Sequence, residues 1–95
     1  MIYKLRFHEL ALTEWQKLDG SVRKPLKKKL AERLENPRVP SAALSGMADC
    51  YKIKLRGVGY RLIYRVEEDV LFVTVIAVGK REKNQVYQAA QRRIE

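Results

Sequence analysis

Cysteine and histidine are scarce in this chain of 95 residues, which contains one of each. The single cysteine, Cys50, excludes an internal disulfide and any zinc site built from several cysteines. The single histidine, His8, excludes the pair of imidazoles that would serve as general base and general acid. His8 stands between a predicted strand and a predicted helix, where a polar capping role is more common than catalysis. No glycine-rich phosphate loop precedes a predicted helix. We therefore expect a site that uses neither a metal ion nor another cofactor.

Long apolar segments are also absent. The longest apolar run, residues 70–78, has the length of a strand and includes Thr74, whereas a membrane-spanning helix needs roughly 20 apolar residues. No membrane partner is therefore expected. A secretory signal is not expected either, because Lys4, Arg6 and Glu9 stand where its apolar region would lie. With a retained thiol and no targeting segment, we expect a cytoplasmic protein.

Acidic residues are outnumbered by basic ones. The chain has 20 Lys and Arg against 11 Asp and Glu, a formal net charge of +9. Hydrophobic residues make up 46% of the chain, a share that is typical of a folded domain and too high for intrinsic disorder. The length predicts a single domain over residues 1–95. So much positive charge on a small body indicates a polyanionic partner, with nucleic acid as the first candidate.

Hydrophobic periodicity predicts an α+β fold with the element order β-α-α-β-β-β-α, in which two helices cover one face of a small, mainly antiparallel sheet. Ser21 is the expected N-cap of the second helix, which ends at Asn36. Turns are expected at residues 67–69 and 80–82. The last strand is apolar on both faces, which is typical of a central strand covered from both sides. Strands are expected at residues 2–7, 50–56, 60–66 and 70–78, and helices at residues 9–18, 22–35 and 84–93.

The hairpin of residues 50–66 concentrates positive charge on one face. A two-residue or a four-residue turn near Gly57 both place Lys54 opposite Arg61 and Lys52 opposite Ile63. Two cations directly opposite each other are destabilising, so we expect a bound anion to compensate. A basic strand face is usually only a solvated surface. The absence of any acid on this face between positions 50 and 66 favours the anion site instead.

Several segments of the sequence resemble the RelE toxins of bacterial toxin–antitoxin pairs, and the resemblance covers nearly the whole chain. It implies a RelE/ParE-like, microbial-RNase-like fold and a ribosome-dependent mRNA interferase. Such an enzyme cuts messenger RNA in the ribosomal A site, without a metal ion, and is held inactive by a cognate RelB-like antitoxin. One position departs from the family, because Ser45 stands where the bacterial archetype has arginine. The matching segments are CYKIKLR at 50–56, GYRLIY at 59–64, VGKRE at 78–82, VY at 86–87, WQKL at 15–18, LKKKL at 26–30 and LSGM at 44–47.

The resemblance also implies a set of catalytic residues. In the implied reaction the ribose 2′-OH attacks the adjacent phosphate. We assign Lys54 as the base because it faces Arg61, with Lys52 assisting. A lysine must lose its proton to act as a base. One cation about 5.5 Å away, at an effective dielectric near 20, lowers the lysine pKa by at most about two. Several cations must therefore act together to make a neutral lysine available. Arg61 is expected to stabilise the negative charge of the phosphorane that forms during the attack. Arg81 is expected to stabilise the same charge and to help protonate the leaving group. Tyr87 is expected to stack on a base.

Further cations are candidates for RNA contact. The second helix, however, mixes Glu32 and Glu35 into its basic face, which is typical of a helix face that only contacts solvent. An alternative function is a non-catalytic basic toxin of the same fold that acts by binding, either as a gyrase inhibitor or as a ribosome binder. Without its antitoxin the toxin is expected to be a monomer that meets messenger RNA and ribosomal RNA on the ribosome. The candidate RNA-binding residues are Arg56, Arg65, Lys80, Lys27 and Lys28.

The terminal helix has a weak apolar stripe. Val86, Ala89, Ala90 and Ile94 are the apolar side chains available to hold it against the body. At roughly 25 cal/mol per Å² such small side chains anchor a helix weakly. We therefore expect this helix to be the least stable element, and to be displaced by a longer amphipathic helix of the antitoxin.

Overall fold

The computed structural model describes residues 3–55 and 57–94. Its strands are β1 at Lys4–Phe7, β2 at Cys50–Leu55, β3 at Tyr60–Glu67 and β4 at Phe72–Lys80, and its helices are α1 at Glu9–Gln16, α2 at Gly20–Glu35 and α3 at Gln85–Ile94. The predicted α+β class and element order are confirmed. Short 3-10 turns lie at Pro40–Ala42 and Glu82–Asn84. Within the described residues, no helix combines the length and hydropathy needed to cross a bilayer.

The four strands form one mixed sheet in the order β1-β4-β3-β2. The pairs β2–β3 and β3–β4 are antiparallel, while β1 runs parallel to β4. The sheet is thus mainly antiparallel, as predicted, with β4 in its interior. Every residue from 73 to 78 is buried, which confirms the interpretation of this apolar run as a central strand.

Helices cover both faces of the sheet. On the first face, α1 and α2 pack against a core that includes Leu26, Leu30 and Tyr64. On the second face, α3 packs through Val86 and Ala90 in a separate cluster. The register between β3 and β4 shifts after Ile63, and this bulge lets the consecutive residues Ile76 and Ala77 both join the α3 cluster.

Several predicted boundaries are wrong by one or two residues. Strand β4 begins at Phe72 because Leu71 lies in the preceding turn with a φ of 55°. It continues to Lys80, which pairs with Tyr60, so residue 80 is not in a loop. Strand β3 reaches Glu67, which pairs with Phe72 and therefore does not belong to the turn. An apolar sequence pattern does not show where cross-strand hydrogen bonding stops.

The helix ends also differ from the predictions. Helix α1 ends at Gln16, although Leu18 beyond it is buried in the core. Asp19, rather than Ser21, caps α2, because its carboxylate accepts a hydrogen bond from the Ser21 amide at 3.1 Å. Helix α3 begins at Gln85, one residue later than predicted, after Asn84 with a φ of 58°.

Strand β1 covers only part of the neighbouring edge of β4. Its last residue, Phe7, pairs with Val75, and beyond that point two backbone groups of β4 are satisfied by side chains. The Ile76 carbonyl accepts a hydrogen bond from Arg93 at 2.8 Å, and the Val78 amide donates to Glu14 at 3.0 Å. Side chains from α1 and α3 thus complete a sheet edge that a longer β1 would otherwise have paired.

Candidate active site

The β2–β3 hairpin has the predicted register. Lys54 lies opposite Arg61 and Lys52 lies opposite Ile63. The ladder ends at the pair Leu55 and Tyr60, and residues 57–59 lie in the turn between the strands. The turn includes Gly57 and Gly59 with φ values of 85° and 71°, and these left-handed conformations favour glycine. Arg56 lies outside the described residues, so its RNA contact stays a prediction.

Arg61 is a buried cation. Only 8% of its surface is exposed, and one terminal nitrogen donates to the Tyr60 carbonyl at 3.0 Å. Its Nε has no hydrogen-bond partner among the described residues. Buried donors are nearly always satisfied in native proteins, and an arginine N–H is well suited to an anionic oxygen. The position of Arg61 therefore fits an anion-binding role.

Arg81 and the first turn of α3 border the end of the sheet that carries Lys54 and Arg61. The row of Lys54 and Arg61 continues on β4 with Gly79, which has no side chain. A Cβ at Gly79 would lie 3.8 Å from that of Val86, so the first turn of α3 passes directly over this row. The exposed Arg81, two residues after Gly79, is held beside the hairpin turn because its amide donates to the Gly59 carbonyl at 2.9 Å.

Tyr87 belongs to the sheet face that carries Lys52. It is half-buried and packs against the α3 cluster, which includes Ile63, the cross-strand partner of Lys52. The face that presents Lys52, Lys54 and Arg61 is therefore also the face on which α3 places Tyr87. The roles of these residues in catalysis remain predictions.

The other predicted RNA contacts within the described residues do not join the row of Lys54 and Arg61. Lys80 does not lie on the Arg61 face, because strand alternation turns its side chain to the opposite face. There its ammonium lies 5.9 Å from the centre of the Tyr60 ring. Arg65 is on the Arg61 face but forms an ion pair with Glu67 at 2.9 Å. Lys27 and Lys28 are exposed on α2, which packs on the far face of the sheet.

Sequence reasoning missed two cations that the structure brings close to Lys52 and Lys54. Lys29 and Arg33 of α2 line a cleft of about 590 Å³ between that helix and the edge strand β2. Arg33 donates to the Lys52 carbonyl at 3.1 Å and to the Tyr64 hydroxyl at 2.9 Å. A signal was present, because Lys29 and Arg33 are four residues apart and thus share one side of a helix.

The histidine, the cysteine and the acidic turn have structural surroundings that account for them. His8 accepts a hydrogen bond from the Leu10 amide at 3.1 Å and caps α1, which confirms the predicted capping role. Cys50 is buried, and burial raises the pKa of its thiol. Glu68 of the acidic turn forms an ion pair with Arg38 at 2.6 Å. In residues 3–55 and 57–94, no three His, Cys, Asp or Glu side chains are grouped so as to hold a metal ion.

Comparisons with known proteins agree with this geometry. A family described as ParE toxin of type II toxin-antitoxin system, parDE, matches residues 5–85. The mRNA interferase toxin RelE of Escherichia coli (strain K12) is 56% identical over 94 residues, which are 99% of each chain. The chain belongs to the RelE family of type II toxin–antitoxin toxins. This confirms the family resemblance found in the sequence.

Solved structures of RelE toxins share the fold. A mutant of E. coli toxin RelE in the free state superposes with a TM-score of 0.92 at 55% identity, covering 100% of both chains. The toxin of the intact E. coli RelBE toxin–antitoxin complex gives a TM-score of 0.83 at 57% identity, covering 85% of this chain and 99% of that one. The second of these structures contains a RelE toxin bound to its antitoxin. It therefore indicates the kind of partner to consider for this chain.

Proposed function

We propose that this RelE-family toxin inhibits translation as a metal-independent endoribonuclease that cuts messenger RNA in the ribosomal A site. The observation that carries the proposal is the pairing of Lys54 with the buried Arg61, whose Nε has no partner among the described residues. The name mRNA interferase, given to E. coli RelE, supports the same reaction class. We further propose a RelB-like antitoxin as partner, as in the RelBE complex.

The proposed reaction is an internal transesterification. The 2′-oxygen forms a bond to the adjacent phosphorus while the bond from phosphorus to the 5′-oxygen breaks. The products are a 2′,3′-cyclic phosphate and a 5′-hydroxyl. Lys54, in its neutral form, takes the proton of the 2′-hydroxyl, with Lys52 assisting on the same strand. Arg81 helps to protonate the leaving 5′-oxygen.

Arg61 stabilises the charge that develops on the phosphorane. Its guanidinium is held against β3 by the bond to the Tyr60 carbonyl, so little reorganisation is needed when phosphate arrives. Because the side chain is buried, its interaction with an oxyanion is screened less than it would be in water. Two N–H groups of a guanidinium can contact two phosphate oxygens at once.

Dependence on the ribosome follows from the weakness of this acid–base set. No imidazole is available here, and the single histidine caps α1. Alignment of the 2′-hydroxyl with the phosphate by a macromolecular partner can contribute several kcal/mol to the reaction. Tyr87, stacking on a base, would fix the nucleotide once the ribosome presents it. We expect free RNA to be cut much more slowly than ribosome-bound messenger RNA.

A cleavage assay with purified toxin tests the proposal. Messenger RNA is mapped by primer extension with and without ribosomes, and we expect cuts in phase with codons only when ribosomes are present. Divalent ions are then chelated in a polyamine buffer, with sedimentation confirming that the ribosomal complex persists. Cleavage should continue at an unchanged single-turnover rate. Strict dependence of the chemical step on added metal would refute the lysine–arginine mechanism.

A second candidate is a toxin of the same fold that acts by binding alone. The matching family is described by the name ParE, and a gyrase inhibitor or a ribosome binder is the corresponding alternative. Induction of the toxin in cells, followed by primer extension on translated messages and by measurement of DNA damage, separates the three functions. A gyrase inhibitor produces DNA damage and leaves messages intact, whereas a ribosome binder stops translation without cutting the message.

A further inference from the structure

The cleft between α2 and β2 is strongly basic. Four of its seven lining residues are cations, and none is acidic. Such a concentration of like charge in one concave surface attracts polyanions and costs free energy when the cleft holds no counter-ion. Its lining consists of Lys29, Arg33, Ser41, Ala42, Lys52, Ile53 and Lys54.

Arg33 gives the cleft a fixed geometry. Its guanidinium reaches from α2 to the Lys52 carbonyl on the outer edge of β2 and to the buried Tyr64 hydroxyl. These contacts join the helix to the edge strand and keep a positive charge at the base of the cleft. Lys29 is one helical turn earlier on the same side of α2, and its side chain is exposed.

The other lysines of α2 point in different directions. At 100° per residue, Lys28 is about 100° and Lys24 about 140° around the helix from Lys29. Both are exposed, and neither lines the cleft. The basic sequence of α2 therefore contains two kinds of lysine, and only Lys29 continues the surface that begins with Lys52 and Lys54.

We propose that the α2–β2 cleft binds the phosphate backbone of RNA beside the cleavage site, with Lys29 as its outer phosphate contact. The inference rests on the proposed function, because Lys52 and Lys54 belong to both surfaces. A strand whose scissile phosphate lies at Arg61 passes Lys54 and Lys52 and leaves the sheet along α2. The ligand is an RNA phosphodiester, which either the message or ribosomal RNA can supply.

The test compares Lys29→Ala with Lys24→Ala, which removes the same charge from the same helix outside the cleft. Binding of the full-length toxin is measured over a range of KCl concentrations in two arms, one with a short single-stranded RNA and one with vacant ribosomes. Loss of one phosphate contact lowers the salt slope by about 0.7–0.9. The ratio of the wild-type affinity to the Lys29→Ala affinity should therefore be about threefold smaller at 200 mM salt than at 50 mM salt. Lys24→Ala should match the wild type, and Lys29→Arg should retain binding.

The two arms identify the source of the phosphate. If Lys29→Ala loses affinity for the short RNA, the phosphate comes from the message. If it loses affinity for ribosomes alone, the phosphate comes from ribosomal RNA. Either result supports phosphate binding in the α2–β2 cleft. Equal losses for Lys29→Ala and Lys24→Ala, or no loss for Lys29→Ala in either arm, would overturn it. The nuclease proposal fails separately, if wild-type toxin binds programmed ribosomes and leaves the message uncut.

Discussion

Arg93 in the last turn of α3 and Glu14 in α1 form a two-pronged ion pair, with N–O distances of 2.8 and 2.9 Å, although 79 residues separate them in sequence. Both side chains also bond to the uncovered edge of β4. The apolar anchors of α3 are small, with Val86 and Ala90 as its buried residues. We therefore expect the ion pair to add to the free energy that docks α3 on the sheet, beside the packing of the half-buried Tyr87, Ala89 and Ile94.

Removing the arginine should loosen α3 selectively. Arg93→Ala removes the guanidinium from Glu14, which keeps only the Val78 amide as a donor, and leaves the Ile76 carbonyl without its arginine donor. The loss costs about 1–2 kcal/mol for a partly exposed charged pair. We expect amide exchange in residues 85–94 to become about tenfold faster, while β4 keeps its protection. Arg92→Ala, at the exposed neighbouring position, is the control. Equal exchange in both variants would show that the pair does not anchor the helix.

Acidification should release α3 for the same reason. Burial alone would raise the pKa of Glu14, but the hydrogen bonds from Arg93 and the Val78 amide outweigh it, and the pKa lies below its ordinary value of 4.5. A lowered carboxyl pKa gives stability that is complete above the unfolded-state value and is lost as pH falls through the folded-state value. NMR spectra of α3 amides should therefore change below about pH 4.5. In Glu14→Gln this transition should be absent, and α3 should already be less protected at neutral pH.

The sequence predicted the contacts that depend on strand alternation and missed those that depend on tertiary packing. Lys54 opposite Arg61 followed from polar and apolar alternation, since a register error would have exposed the core. The partnership of Glu14 with Arg93 has no local pattern. Which lysine of α2 lines the cleft beside β2 depends on how the helix is rotated against that strand, and no composition rule gives that angle.

Alanine at Lys54 or Arg81 should abolish cleavage without unfolding the toxin. Both side chains are exposed, so their removal leaves no cavity. Loss of a general base typically slows a reaction by about 10²–10⁴-fold, and loss of an oxyanion-stabilising group by about 10²–10³-fold. Single-turnover cleavage on ribosomes and thermal melting separate the two effects, with Lys24→Ala as the control. Unchanged toxicity on induction of either variant would remove that residue from the site.

Tyr64→Phe should destabilise the fold. The buried Tyr64 hydroxyl donates to the Pro37 carbonyl at 2.6 Å and accepts from Arg33 at 2.9 Å. The Pro37 carbonyl keeps the Val39 amide as a donor, and Arg33 keeps the Lys52 carbonyl as an acceptor. The cost is therefore that of the two lost hydrogen bonds, about 1–3 kcal/mol in the free energy of unfolding, measurable by urea denaturation. Tyr60→Phe is the matched control, because the Tyr60 hydroxyl has no hydrogen bond to the described residues. A similar loss in both variants would assign the effect to the ring environment instead.

We expect the docking of α3 to determine how an antitoxin inhibits this toxin. We expect a RelB-like antitoxin to place an amphipathic helix on the apolar surface that Val86 and Ala90 now cover, and so to move Tyr87 out of the site. Binding must then include the free energy of undocking α3. Arg93→Ala, which lowers that cost, should bind antitoxin up to about tenfold more tightly, whereas Arg92→Ala should bind like the wild type.

Hydrogen exchange of the complex gives the direct measurement. Displacement predicts fast exchange in residues 85–94 once antitoxin is bound, with β4 still protected. If α3 keeps its free-state protection in the complex, and Arg93→Ala binds antitoxin no better than wild type, the helix is not displaced. Inhibition would then have to come from steric exclusion of the toxin from the ribosome, with the catalytic residues left in place.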